Sequence, residues 1–162
     1  VFQVQYGLGN LFPLFFGGLA FSAGVAAVIN GNLVMRFGMH VLAHRALAVV
    51  TALSWLLLGV TALSGGQPPL WQFMAIGLAW FFFIGVVFGN INAMAMEPLG
   101  HVAGSAAAVI GTSTTLIAVA LGYGVGRVYD GTLYAVAAGF AVLTTLALAL
   151  VVGLQRVQGE KF

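Results

Sequence analysis

The chain has 162 residues, of which 62% are apolar and only 5% charged, with five Lys or Arg against three Asp or Glu and no cysteine. A soluble domain carries about 25% charged residues, so these few charges cannot cover a water-facing surface, and the mean hydropathy of +1.11 agrees. A soluble enzyme, a disordered tail, a disulfide framework and a nucleic-acid-binding module, whose basic stripe needs far more than five cations, are thereby excluded.

What remains is an all-α integral membrane protein. Five uncharged apolar stretches are predicted to span the bilayer, at about 12–35, 46–63, 70–96, 102–126 and 132–154, each of at least 18 residues. A hydrocarbon core of ~30 Å takes ~20 residues at ~1.5 Å of helical rise each. Every charge falls outside these stretches, where it avoids the roughly 2.5–3.5 kcal/mol cost of a mid-bilayer position. No stretch alternates apolar and polar residues as a barrel strand must.

In chain order, the first span carries Gly17, Ala20, Gly24, Ala27 and Gly31 on one face. Helices in lipid associate through small residues, so this span is predicted to be enclosed by neighbours. Arg36 and Arg45 bound a short cytoplasmic loop. The second span is Leu, Val and Ala on every side with scattered Thr and Ser, and is expected to face lipid. Gly65-Gly66-Gln67-Pro68-Pro69 then turns the chain. The third span places Trp80-Phe81-Phe82-Phe83 mid-membrane and Asn90 and Asn92 near its end, where Pro98 restricts Glu97 and closes the helix. The fourth repeats a small-residue stripe through Gly100, Gly104, Ala108, Thr112, Thr115, Gly122 and Gly126, and is expected to be enclosed. Asp130-Gly131 is a second turn, with Asp130 or Thr132 able to cap the last helix. The fifth span is again expected to face lipid, and 156–162 form a tail.

Lys and Arg are distributed four to one between the two sides: Arg36, Arg45, Arg156 and Lys161 against Arg127. That places the N-terminal end outside and the tail in the cytoplasm. Chemistry is sparse. There is no Gly-x-Ser-x-Gly elbow, phosphate loop, paired carboxylates or embedded acid, so no enzyme activity and no cofactor are expected. His40 and His44 are spaced as two metal ligands but lack a third, and Arg45 beside them repels a cation, so no metal is expected. Candidates for lining a substrate cavity are Ser22, Trp80, Phe81, Thr112 and Thr115, although filling space is the commoner role of such residues. Arg36, Arg45 and Glu97 are candidates for a cytoplasmic gate, with Glu97 bonded to one of the arginines. Gly24, Gly104, Gly122 and Gly126 are candidates for close helix packing.

Three segments carry a resemblance. Asn30-Gly31-Asn32-Leu33-Val34-Met35-Arg36-Phe37-Gly38-Met39 is similar to the loop between spans eight and nine of multidrug efflux carriers of the major facilitator superfamily. The stretch from Gly89 to Ser105, with Glu97-Pro98-Leu99-Gly100-His101 at its centre, resembles the junction between spans ten and eleven of the bicyclomycin-resistance branch of drug–proton antiporters. Gly126-Arg127-Val128-Tyr129-Asp130-Gly131-Thr132 resembles the turn before span twelve. The resemblance implies that the five spans form most of the second six-helix half of a 12-span fold, with residues 1–10 the outer end of a truncated seventh span and its loop. It implies a bacterial inner-membrane carrier, and a missing N-terminal half that holds the proton-coupling acids. A start at Val1 rather than Met fits a fragment. The expected function is proton-coupled export of small amphipathic drugs, with the lipid bilayer, the missing half, substrate and protons as partners and no nucleic acid. The alternatives are a facilitator-type carrier of a sugar or metabolite, and a small stand-alone membrane scaffold.

Overall fold

The computed structural model describes residues 5–158, the side chains of 155–158 excepted. It is a helical bundle of α1 (Phe12–Phe37), α2 (Met39–Leu63), α3 (Leu70–Met96), α4 (Ala103–Arg127) and α5 (Tyr134–Gln158), with no strand among the described residues. By length and composition four continuous helical runs could cross a membrane: Gly9–Phe37, Met39–Leu63, Leu70–Arg127 and Tyr134–Leu154. The third run has 58 residues, which would extend about 87 Å if straight, nearly three times the hydrocarbon thickness. It is interrupted by the 3-10 segment Glu97–Val102, where Leu99 leaves the helical region at φ −108°, ψ 16°. Beyond that break α4 runs back along the bundle, because the side chain of Val125 packs against Gly139 of α5.

α3 ends at Met96 as expected, but the sharp bend comes two residues after Glu97, at Leu99. Glu97 keeps helical angles (φ −52°, ψ −49°) despite the following proline. Pro98 sits at the start of the 3-10 turn, where its missing N–H needs no partner, and the chain bends at Leu99 instead.

The expected loop over residues 36–45 is also helix. α1 continues to Phe37, and Gly38 alone (φ +78°) divides it from α2. The Gly38 N–H donates to the Val34 carbonyl (2.9 Å) and its own carbonyl accepts from Leu42 N–H (3.2 Å), so both helix ends are satisfied around one residue. Arg45 and both nearby histidines are therefore carried by the first turns of α2. At the far end α5 runs past the expected limit of 154 into the expected tail. The Arg156 side chain, Glu160 and Lys161 lie outside the described residues, as do residues 1–4.

The packing order differs most from expectation. α3 lies between α1 and α2, and α2 lies between α3 and α5. α2 carries the most buried residues: Val50, Ser54 and Thr61 have no exposed surface, as have Ala26 of α1 and Ala137 and Ala141 of α5, and Ala43, Ala46, Leu47 and Leu57 are also buried. The helix expected to face lipid is thus the most enclosed. α4, expected to be enclosed, has Ala106 as its one buried residue. In α5 the buried side is the row Ala137, Ala141 and Thr144, which faces α2. Within this chain a Cβ on Gly24, Gly104, Gly122 or Gly126 would meet nothing within 4 Å. The close approaches fall at other glycines: Gly77 on Leu19, Gly85 on Ala23 and Ala26, and Gly139 on Val125. Hydropathy could not foresee this, because in lipid an apolar face gains nothing by turning inward.

At the opposite end of the bundle from Arg45, the two turns and the N-terminal segment are tied together. The Gly66 carbonyl accepts from Leu133 N–H (2.9 Å) and Gln5 Nε2 (3.2 Å), and Tyr6 Oη donates to the Pro68 carbonyl (2.8 Å). Burial pushes the Tyr6 phenol up to about 12, so it stays a neutral donor. The Asp130 carboxylate accepts from the Thr132 hydroxyl (2.5 Å) and backbone N–H (3.0 Å), and these bonds, hydroxyl first, hold its pKa below the usual carboxylate value. Thr132 Oγ1 in turn accepts from Tyr134 N–H at 3.4 Å, so Thr132 caps α5 and Asp130 closes the turn before it.

Gly66 is the weak point of this end. Its φ is +91°, and an added Cβ would stand 2.9 Å from the Tyr134 ring and 3.1 Å from Thr132 Cβ. Gly66→Ala is expected to destabilise the purified protein by about 1–3 kcal/mol, from backbone strain and crowding together. Gly65→Ala has the strain (φ +60°) without the crowding, so unfolding of the two variants in detergent separates the contributions.

Candidate functional site

Three helices meet at a polar and aromatic junction halfway along the bundle. Trp80 on α3 donates its indole N–H to Ser54 Oγ on α2 (2.8 Å), and Ser54 donates onward to the Val50 carbonyl (2.8 Å). The Trp80 ring stacks on Phe140 of α5, with centroids 4.6 Å apart and planes inclined by 11°. Thr51 lies one turn away, with its hydroxyl on the Leu47 carbonyl (2.9 Å) and 3.3 Å from the Thr144 carbonyl of α5. Trp55 donates to Thr145 Oγ1 at 3.0 Å. A second polar contact joins α1 to α3. Asn90, 1% exposed, uses both amide hydrogens, one on Asn30 Oδ1 (2.7 Å) and one on the Val86 carbonyl (2.8 Å).

The donors at the junction are all used: every buried hydroxyl returns its hydrogen to a carbonyl and each tryptophan N–H meets a hydroxyl oxygen. No charged side chain takes part in these contacts, which join α2 to α3 and to α5 and α1 to α3.

The cavity candidates do not converge. Ser22 donates to the Leu78 carbonyl (2.7 Å), on the face of α3 that meets α1. Trp80, two residues on, points to α2 and α5, about 200° around the helix. Phe81 meets Trp80 edge-on with centroids 5.5 Å apart. Thr112 and Thr115 are exposed on α4, with the Thr115 hydroxyl returned to the Gly111 carbonyl (2.7 Å). Sequence reasoning named Asn90 without giving it a role and missed Ser54, Thr51 and Phe140. A signal for Ser54 was present: Ala43, Leu47, Val50, Ser54, Leu57 and Thr61 recur at alternating steps of four and three, the spacing of a helix-packing seam.

Two clefts remain. One, of about 230 Å³, opens between α1, α2 and α3 at the Arg45 end, bordered by Leu33, Phe37, Val41, Val49, Phe82 and Arg45. The other, of about 320 Å³, lies between α4 and α5 around Val125 and Gly139 and has only apolar residues along it. None of the five cavity candidates borders either cleft. Arg36, Arg45 and Glu97 share one end of the bundle and are exposed, but among the described residues they form no ion pair with each other. Arg36 instead lies over the Phe37 ring, 5.3 Å from its centroid. Among the described residues no three of His, Asp and Glu gather as a metal site would require.

No protein-family model, curated protein or solved structure matches the chain.

Proposed function

We propose that this chain is the second half of a proton-coupled carrier that exports small amphipathic compounds across a bacterial inner membrane, crossing it five times with the Arg45 end in the cytoplasm. One observation carries the reading: α4 is exposed along nearly its whole length, with Gly104, Thr112, Thr115, Gly122 and Gly126 open to approach. A helix furnished with small residues and left uncovered by its own bundle is suited to close packing against further helices, as a second bundle would supply. The three motif resemblances point to the same two-half carrier. The absence of an embedded acid from the described helices fits a division of labour in which the other half holds the proton-coupling groups.

Orientation is tested by labelling. Gly66 is buried and a side chain there would be strained, so the reporter on that side belongs at exposed Gln67. Gln67→Cys is expected to react with an impermeant maleimide added to intact cells, and His40→Cys only after lysis. The reverse pattern overturns the orientation. Transport is tested in cells expressing the carrier that contains this chain: accumulation of a lipophilic fluorescent cation should fall, and a protonophore should restore it. Accumulation equal to that of cells lacking the carrier, across a panel of amphipathic dyes, rejects drug export.

A further inference from the structure

We propose that the cleft between α1, α2 and α3 holds one acyl chain of an anionic phospholipid, with the lipid phosphate bound by Arg45 and Arg36. The inference rests on these helices spanning a membrane and not on the transport reading. The cleft is bordered by carbon apart from one residue, Arg45. It runs along α2 from Val41 to Val49, about 12 Å of helix, close to the ~15 Å depth of one leaflet. Two arginines lie beside it. Arg45 borders it directly, and Arg36 stacks on Phe37, which is itself part of the wall.

Both guanidiniums are exposed, and among the described residues neither has a carboxylate partner. Glu97 at the same end leaves them unpaired. An apolar slot about 12 Å long, bordered by two arginines that have no carboxylate partner among the described residues, matches the two parts of one molecule, an acyl chain and a phosphate headgroup. A free phosphate would satisfy the arginines and leave the slot empty, and a neutral lipid would fill the slot and leave the arginines unmatched. A cationic amphipath is repelled at the mouth, so the cleft is separate from any site for a cationic drug.

The full chain, purified in detergent, is loaded with equal amounts of phosphatidylglycerol and phosphatidylcholine, and retained lipid is read by native mass spectrometry. Phosphatidylglycerol should be preferred, by about fivefold for each arginine engaged. Arg45→Gln should lower the preference by about that factor, and Arg36→Gln combined with it should abolish the preference. Val49→Trp fills the slot without touching either arginine and should lose the retained lipid. Circular dichroism and gel filtration confirm that each variant remains folded; Val41→Trp replaces a misfolded slot variant and Arg45→Met a misfolded charge variant, each with the outcome expected of the variant it replaces. Millimolar inorganic phosphate should not displace the lipid. Equal retention of the two lipids, a preference unchanged in the arginine variants, retention undiminished by filling the slot, or displacement by phosphate would each overturn the proposal.

Discussion

Trp80→Ala should destabilise the bundle by about 2–4 kcal/mol, below the range for a fully buried aromatic because Trp80 is only partly buried. The indole fills the space where α2, α3 and α5 meet, stacks on Phe140 and holds Ser54, so the truncation empties a volume bordered by three helices. Trp80→Phe keeps most of the stack and loses the N–H bond, and should cost about 1 kcal/mol, since single interhelical hydrogen bonds in membranes average ~0.6 kcal/mol. Reversible unfolding of the purified protein in mixed detergent micelles measures both. A Trp80→Ala variant within about 1 kcal/mol of the parent, with transport by the whole carrier lost, would instead return Trp80 to the cavity wall that its position in the sequence suggested.

Gly85→Leu should be as damaging by the opposite route. The first added carbon would stand 3.0 Å from the Ala23 carbonyl oxygen and 3.3 Å from Ala23 Cα. Both are backbone atoms that cannot swing aside, so α1 must withdraw from α3. Overpacking alone costs about 1–3 kcal/mol, and withdrawal also pulls apart the Asn30–Asn90 and Ser22–Leu78 bonds on either side. Gly24→Leu, where nothing lies within 4 Å, should shift stability of this chain by no more than about 0.5 kcal/mol, the scale of changes away from packed sites. Comparable losses at the two glycines would place Gly24 in a contact that the bundle does not make.

The helices themselves were legible. Each apolar stretch became a helix, and the ends of α3 and the turns at Gly65-Gly66 and Asp130-Gly131 fell within a few residues of expectation. The Arg36–Arg45 segment was misread as a loop because its polar residues resemble one. A helix emerging from the bilayer can carry His40, His44 and Arg45 without leaving helical geometry, and only Gly38 was needed to turn the chain. The candidate site was much less legible. Trp80 stood out as an aromatic, but its partners Ser54 and Phe140 lie on other helices and nothing local marks them. Thr51, Ser54 and Thr61 were passed over as scattered hydroxyls on an apolar helix. Each returns its hydrogen to the carbonyl four residues back, so each can be buried without disclosing the need for a partner.

What the sequence determined by itself was where the chain is helical and apolar enough to cross a bilayer, and where it must break. Lipid offers no partner to a backbone N–H or carbonyl, so an apolar stretch has to satisfy its own as helix, and charges are confined to the ends. Only the tertiary structure decided which faces meet. It buried α2, left α4 bare and chose Gly77, Gly85 and Gly139 over the glycines of the two longer stripes for close approach. Between helices in lipid there is no difference in hydropathy to read. Contact is selected by the fit of side chains on separate helices, and that fit exists only once the helices are side by side.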